Sequence, residues 1–221
     1  MKAVVMAGGN GSRLRPMLAG SINKHLCPVG NKPLIHWPLE TVADIGLSEV
    51  FVMGNGPRFL PVMEEIGTGK DFGLRVSYVY EPITAGQSVG EHFLDIEPHV
   101  GDEPFVLMLG DSVYLKPPPT PGTSTFQTWA MPVDETWDNL DKYAVVPGQT
   151  DMIQTGLWIL PPHVFDCIRL LQKSMSEVRI RDILRSMYDN GVPLNVCPIE
   201  PGSFIDCGTP EAVTKINALC T

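Results

Sequence analysis

Cysteine is scarce in this sequence, and its few cysteines show no metal-binding spacing. The 221 residues contain five cysteines, no two of which form a CxxC pair, and the five histidines show no ligand spacing relative to them. A disulfide framework or a zinc site needs paired or regularly spaced cysteines. We therefore expect reduced thiols in a cytoplasmic protein, at Cys27, Cys167, Cys197, Cys207 and Cys220.

Basic residues and long apolar runs are also in short supply. Sixteen Lys and Arg stand against 25 Asp and Glu, which gives a formal net charge of −9. Nucleic acids and anionic membranes need a basic face, and no apolar run approaches the roughly 18 residues of a membrane helix. The apolar start is too short for a signal peptide. The composition thus argues against nucleic-acid partners, membrane partners and export, while a small anion held by a few cations is allowed.

Short apolar, β-branched runs alternate with segments of helical period, which is typical of a parallel sheet built from βαβ units. Strands are predicted over 2–6, 49–53, 74–80, 104–109, 128–133, 142–146, 156–160 and 194–198, and helices over 33–45, 57–66, 88–96, 163–172, 179–188 and 210–219. The prolines of 117–124 predict a surface loop. Because no repeat divides the chain, we expect one α/β domain, 1–221, with a nucleotide-binding half, 1–111, and a substrate-facing half, 112–221.

The strongest motif is a glycine-rich turn directly after the first strand, Gly8-Gly9-Asn10-Gly11-Ser12. Three glycines allow the backbone to approach a ligand and turn its N–H groups toward an anion. The turn is not a dinucleotide GxGxxG, because Leu14 stands where the third glycine belongs, and it lacks the Gly-Lys-Ser/Thr ending of a Walker loop. It predicts a phosphate loop of another kind, whose nucleotide-binding residues are Ala7, Gly8, Gly9, Gly11 and Ser12.

Two cations accompany the turn. Arg13 follows it directly, and Lys24 lies in an irregular segment shortly afterwards. A guanidinium can bind two oxygens at once and an ammonium acts as a point charge, so together they suit a polyphosphate. A strained turn with two solvated cations is the alternative interpretation.

The letters GGNGSRLRP at 8–16, KHLCPV at 24–29 and NKPLI at 31–35 resemble the signature of sugar nucleotidyltransferases, in particular of the glucose-1-phosphate thymidylyltransferase type. The resemblance implies a Rossmann-like, three-layer αβα nucleotidyltransferase fold with a mostly parallel central sheet and a small subdomain that binds the sugar phosphate. It also implies that an NTP and a sugar 1-phosphate react to give an NDP-sugar and pyrophosphate. Members of this family commonly form homo-oligomers.

Two aspartates stand directly after strand-like runs, Asp111 after 104–109 and Asp206 after 203–205. Mg²⁺ prefers oxygen ligands and usually takes one or two carboxylates together with substrate phosphates. Alone, Asp111 could form a turn and Asp206 could cap a helix, but the family places its metal-binding aspartates in matching motifs. We therefore expect Mg²⁺ as the cofactor, held by Asp111 and Asp206.

The expected chemistry follows from charge. A sugar phosphate is already an anion, so its attack needs no general base and no His, Ser or Cys nucleophile. We expect Mg²⁺ to bridge the α-phosphate and the sugar phosphate, and Arg13 and the turn amides to bind the β- and γ-phosphates. Lys24 would neutralise charge at the α-phosphorus, so Arg13 and Lys24 are the expected catalytic residues.

The resemblance assigns base recognition to Glu81 and Gly86, which follow the third predicted strand. The thymidylyltransferase type has Gln where this chain has Glu81, and an ionised Glu only accepts hydrogen bonds. The family favours dTTP or UTP, whereas the carboxylate also allows CTP or GTP. The base therefore stays open, and a solvated loop acid is the alternative for Glu81.

The sugar side departs from the family. Tyr143 and Ala144 resemble one of its sugar-phosphate-binding strands, and Thr155 and Gly156 resemble the next. The Glu-Lys-Pro motif that the family carries between them is absent, and residues 147–154 fill the gap.

That departure leaves alternatives open. Another cation, Lys142, Arg179 or Arg181, could replace the missing Lys, or the acceptor could differ from an ordinary hexose phosphate. The chain could also be a regulatory subunit that binds a nucleotide sugar with reduced turnover. The two retained metal carboxylates argue for the enzyme, because a pure binding protein does not need them.

Overall fold

The structure, a computed structural model, describes residues 1–9, 11–18, 23–81, 89–133 and 145–220. Its strands are β1 (Ala3–Met6), β2 (Pro28–Val29), β3 (Lys32–Pro33), β4 (Glu49–Asn55), β5 (Arg75–Glu81), β6 (Phe105–Leu109), β7 (Ser112–Tyr114), β8 (Gln127–Pro132), β9 (Val145–Val146), β10 (Gln149–Leu160), β11 (Asn195–Pro198) and β12 (Phe204–Asp206). Its α-helices are α1 (His36–Asp44), α2 (Leu60–Ile66), α3 (Val89–Leu94), α4 (Glu97–Val100), α5 (Val164–Leu171), α6 (Ile180–Asp189) and α7 (Pro210–Leu219). Within these ranges no helix is long and apolar enough to cross a membrane, and the five cysteines are free thiols.

Eight strands form one mostly parallel sheet. Along its main path the order is β11-β8-β10-β6-β1-β4-β5, and β9 pairs with β10. Only β10 runs antiparallel to its neighbours on this path of described strands. The central strands β1 and β6 are short, nearly continuous apolar runs that are buried over most of their length, as parallel strands covered on both faces require. The predicted α/β class is confirmed.

Helices cover both faces of this sheet. Successive side chains of a strand point to opposite faces. Accordingly, Val4 packs with residues of α3, α5 and α6, whereas Ala3 and Val5 pack with residues of α1 and α2. A third apolar cluster joins α7 to β2, β7 and β12. The result is the three-layer, Rossmann-like arrangement expected from the sequence.

The carboxyl ends of β1 and β6 meet at the point where the strand order reverses. β1 continues through α1 to β4 on one side, while β6 lies on its other side with Leu109 opposite Met6. The Gly110 N–H donates to the Met6 carbonyl at 2.9 Å, so the two strands end level. Open α/β sheets bind ligands at such a switch point. The glycine turn and Asp111 therefore leave the sheet side by side.

Several predicted boundaries change. The helix predicted over 33–45 begins at His36, because Lys32 and Pro33 form the β2–β3 hairpin. The strand predicted over 156–160 is only the end of β10, which begins at Gln149 after a Pro147-Gly148 turn. Of the strand predicted over 142–146, the last two residues form β9 and the others lie outside the described residues.

The proline-rich segment 117–124 contains no helix or strand, as predicted. Pro118 is buried, and the Trp129 indole N–H donates to the Pro119 carbonyl at 2.9 Å. The loop is thus fixed to β8 at one point and otherwise lies at the surface.

Candidate active site

The glycine turn after β1 folds over the stem of Lys24. Gly11 has a φ of 56°, in the left-handed region that favours glycine. A Cβ added there would lie 2.9 Å from the Lys24 Cβ, whereas one added at Gly8 would meet nothing within 4 Å. The Ala7 N–H already donates to the Met53 carbonyl at 2.7 Å, which leaves it no free N–H for a phosphate. The space in front of Gly8 is therefore the open part of the turn, and Asn10 lies outside the described residues.

Lys24 forms an ion pair with Asp111. Its Nζ lies 2.7 Å from Asp111 Oδ2, and each side chain is only 15% exposed. Burial alone would raise the pKa of Asp111, but the charge and hydrogen bond of Lys24 outweigh it, so the pKa lies below its ordinary value. Asp111 is therefore an ionised carboxylate at neutral pH, as a metal ligand must be.

A buried histidine lies beneath this pair. His25 is fully buried, and both its backbone N–H and its Nδ1 lie within 3.0 Å of Asn23 Oδ1. Burial and the neighbouring Lys24 charge lower the pKa of His25 to about 3, so the ring is neutral. Its Nε2 has no hydrogen-bond partner among the described residues, and a Cβ added at Gly110 would lie 2.7 Å from it. His25 is thus a neutral, buried ring that packs against Gly110, next to Asp111 in the sequence.

Pairing of β7 with β12 brings the second carboxylate to the first. Asp206 lies opposite Ser112 in the antiparallel register, and the Cys207 N–H donates to the Asp111 carbonyl at 2.8 Å. The Gly208 N–H donates to Asp206 Oδ1 at 3.1 Å. The cap of α7 is Thr209, whose Oγ1 accepts from the Ala212 N–H. Asp206 is therefore not the capping residue of that helix.

Arg13 lies beside Asp206. A Cβ added at Gly208 would lie 2.9 Å from Arg13 Nη2 and 3.1 Å from Asp206 Oδ1. The guanidinium and the carboxylate therefore pack against the same glycine, which could not carry a side chain without moving one of them.

These groups share one cavity of about 200 Å³. Its lining includes Arg13, the two carboxylates and three residues of β10, which are Gln154, Gly156 and Trp158. Lys24 does not line the cavity, but it contacts the lining residue Asp111. Four predicted functional residues from distant parts of the chain, Arg13, Lys24, Asp111 and Asp206, are thus brought together.

Of the two predicted sugar-side residues that the structure describes, Gly156 reaches the cavity and Thr155 does not. Gly156 lines it with a φ of 73°, and an added Cβ would overlap the Ser112 hydroxyl. Thr155 is fully buried instead, with its hydroxyl 2.8 Å from the Trp129 carbonyl and 2.5 Å from the Tyr114 hydroxyl. We therefore revise its expected role from substrate contact to support of the cavity wall.

Four further predicted residues cannot be compared with the cavity. Gly86, Tyr143 and Ala144 lie outside the described residues, as does Lys142, and Glu81 is described only as the backbone end of β5.

The other two cations proposed to replace the missing Lys are described at the start of α6. Arg179 forms an exposed ion pair with Glu177 at 3.0 Å, and Arg181 Nε lies 3.8 Å from Asp182 Oδ1. Ile180, between them, lines the cavity, whereas neither arginine does.

Sequence reasoning missed Gln154, Trp158 and His25. Gln154 stands in the 147–154 segment, where the family motif is absent, and Trp158 stands in the strand predicted over 156–160 without an assigned role. The positions of both depend on the irregular register of β10 between residues 154 and 158. A signal for His25 did exist, because Asn23 is a residue type that commonly caps helices. Its side chain caps the Lys24–Leu26 turn.

Comparisons with known proteins show the family. The sequence model of the family described as nucleotidyl transferase matches residues 2–129. The chain is 27% identical over 241 residues to the low-salt glycan biosynthesis nucleotidyltransferase Agl11 of Haloferax volcanii, which covers 99% of this chain and 66% of that protein. It is 26% identical over 240 residues to the glucose-1-phosphate thymidylyltransferase of Neisseria meningitidis, covering 96% of this chain and 80% of that one.

A solved structure shows the same fold. A candidate glucose-1-phosphate thymidylyltransferase of Bacillus anthracis, solved with a sucrose, superposes with a TM-score of 0.84 at 23% identity. The alignment covers 99% of this chain and 94% of that one.

Proposed function

The chain belongs to the nucleotidyl transferase family, and from that premise we propose that it joins an NTP to a sugar 1-phosphate. The sugar phosphate oxygen forms a bond to the α-phosphorus of the NTP while the bond to the departing pyrophosphate breaks, which gives an NDP-sugar. One observation carries the proposal. Arg13, Asp111 and Asp206 line a single cavity at the switch point of the sheet, Lys24 pairs with Asp111, and the glycine turn packs on the stem of Lys24.

Each cation has a part in this reaction. Arg13 binds phosphate oxygens at the mouth of the turn, where its guanidinium can hold two of them. The Lys24 ammonium lies beside both the turn and Asp111. It can therefore stabilise the negative charge that builds at the α-phosphate during the reaction. No general base is needed, since the attacking oxygen is already ionised. The neutral His25 ring adds no competing charge.

The two carboxylates fit Mg²⁺ by their chemistry. Asp111 and Asp206 are oxygen ligands on paired strands, and Asp111 is held ionised by Lys24. Among the described residues no group of three or more His, Cys, Asp or Glu side chains could hold an ion alone. Phosphate and water oxygens would therefore complete the coordination, which is usual for Mg²⁺. When bound, the ion would neutralise and orient the phosphates.

The base and acceptor follow from the relatives. Several relatives are named glucose-1-phosphate thymidylyltransferases, so we propose dTTP or UTP as the favoured donor here and a hexose 1-phosphate as the acceptor. The carboxylate of Glu81 also allows CTP or GTP. The cysteine usage favours a cytoplasmic protein, and the resemblance allows a homo-oligomer.

The test is pyrophosphate release with Mg²⁺ from each NTP paired with each of a set of sugar 1-phosphates. Lys24→Met and Asp111→Asn should each lower turnover about 10²- to 10³-fold. The first removes a cation that faces the reacting phosphates, and the second removes a ligand of the Mg²⁺ that would neutralise them. Lys116→Met is the matched control, since Lys116 also pairs with a carboxylate, Glu200, but at an exposed site. Near-normal turnover in a folded Lys24→Met or Asp111→Asn protein would remove that residue from the mechanism.

A regulatory subunit is the second candidate. It is favoured by β10, which occupies residues 149–154 in the place of the missing Glu-Lys-Pro motif. If no pairing releases pyrophosphate but a nucleotide sugar binds tightly, this second function replaces the first.

A further inference from the structure

Gln154 is a buried amide that lines the substrate cavity. Its side chain belongs to a residue that is 6% exposed, and it shares the cavity wall with Trp158, which is 1% exposed. Buried polar groups are costly unless they are hydrogen-bonded. Neighbouring groups must therefore satisfy most of the hydrogen-bonding capacity of this amide.

Two neighbours fix the orientation of the amide. The Trp158 indole N–H donates to Gln154 Oε1, and Gln154 Nε2 donates to the Val145 carbonyl at 3.1 Å. An indole N–H can only donate and a carbonyl can only accept. Flipping the amide would set donor against donor and acceptor against acceptor, so only one orientation is allowed.

The fixed amide keeps one Nε2 hydrogen and one Oε1 lone pair unused by these two partners. A hydroxyl group is the neutral partner that can both accept and donate in this way. On the assumption that the proposed function holds, we propose that Gln154, oriented by Trp158, recognises one ring hydroxyl of the sugar-phosphate acceptor and so determines acceptor specificity.

The rest of the cavity fits an uncharged polyol ring. Its described lining carries charge only at Arg13, Asp111 and Asp206, to which the proposed function assigns phosphate binding and Mg²⁺ binding. The other lining groups are apolar or neutral, and include the Ser112 hydroxyl. A volume of about 200 Å³ would hold roughly seven waters at about 30 Å³ each, so the cavity can admit a sugar ring. The recognised group is therefore a hydroxyl of a polyol ring that faces Gln154.

The test compares Gln154→Met with the unaltered protein. The substrates are the preferred acceptor of the pyrophosphate assay and its single-deoxy analogues. A neutral hydrogen bond whose partner would otherwise stay unsatisfied is worth about tenfold in affinity. We expect Gln154→Met to raise KM for the full acceptor about tenfold, with a much smaller change in kcat and in KM for the NTP. One deoxy analogue, which lacks the recognised hydroxyl, should be handled equally by both proteins.

Two further variants separate recognition from stability. Trp158→Phe keeps an aromatic ring but removes the N–H that orients Gln154, so discrimination at the same hydroxyl should fall about threefold. Gln127→Met removes another buried amide, which lies in β8 and does not line the cavity. The Gln127 side-chain oxygen accepts from Asn195 Nδ2 at 2.9 Å. This control should lose stability without a change in acceptor KM.

The inference is overturned if Gln154→Met leaves every acceptor KM within twofold, if it weakens all analogues equally, or if Gln127→Met has the same effect. Failure of the proposed function looks different, because the unaltered protein would then release no pyrophosphate from any pairing. In that case nucleotide-sugar binding is measured by calorimetry on the same variants. If Gln154→Met loses affinity only for nucleotide sugars that carry one particular hydroxyl, the role of Gln154 is supported. Unchanged affinity, or no binding by either protein, refutes it.

Discussion

The buried His25 makes the stability of the fold depend on pH in a calculable way. In the unfolded chain its pKa is the ordinary 6.5, and in the fold it is about 3. Unfolding therefore takes up a proton at intermediate pH. The contribution of His25 is complete above pH 6.5 and is lost progressively as the pH falls toward 3. At 1.36 kcal/mol per pKa unit, lowering the pH from 7 to 5 should cost about 2 kcal/mol of unfolding free energy.

The assay is urea unfolding at pH 7 and pH 5 with fixed ionic strength. His25→Gln keeps a neutral polar side chain without a titrating ring, so its loss between the two pH values should be smaller by about 2 kcal/mol. His163→Gln is the matched control, because His163 is exposed, and it should retain the full loss. Asp111 does not interfere, since its pKa lies below the ordinary value of 3.8 and its contribution fades only in more acidic solution. Equal losses in His25→Gln and the unaltered protein would refute the argument.

Two glycine substitutions test the walls of the site. Gly208→Ala places a methyl 2.9 Å from Arg13 Nη2 and 3.1 Å from Asp206 Oδ1. We therefore expect KM for the NTP to rise about tenfold while the melting temperature changes little. An unchanged KM would contradict the placement of Arg13. Gly156→Ala puts a side chain at a φ of 73°, where it would overlap the Ser112 hydroxyl. We expect this to lower the free energy of unfolding by about 2 kcal/mol and the melting temperature by about 4–8 °C. Adding Ser112→Ala should recover part of that loss, and no recovery would exclude the overlap as its cause.

The parts of the site that follow strand ends could be anticipated from the sequence. A carboxylate after an apolar run and a glycine turn after another must reach the same edge when the two strands are parallel and adjacent. Asp111 and the 8–12 turn obey this rule, and the structure brings them together. Their roles in binding and turnover stay predictions.

Other parts depend on packing that no local pattern reports. Thr155 looks like a cavity residue by its place beside Gly156, but the local irregularity of β10 turns its hydroxyl toward Tyr114 and Trp129. Gln154 reads as a loop amide until β10 is seen to begin at residue 149. A shift of one residue in a strand exchanges the two faces, so such assignments need the register itself.

The ion pair between Lys24 and Asp111 joins positions 87 residues apart, and Asp206 reaches them only while β7 and β12 stay paired. A chain in which β7 and β12 have separated no longer holds Arg13, Asp111 and Asp206 around one cavity. If the proposed function holds, nucleotide binding therefore stabilises the native state. Nucleotide at 100 times its dissociation constant would raise the free energy of unfolding by about 2.7 kcal/mol. Substrate supply would then govern how long each molecule escapes proteolysis, as well as how fast it works.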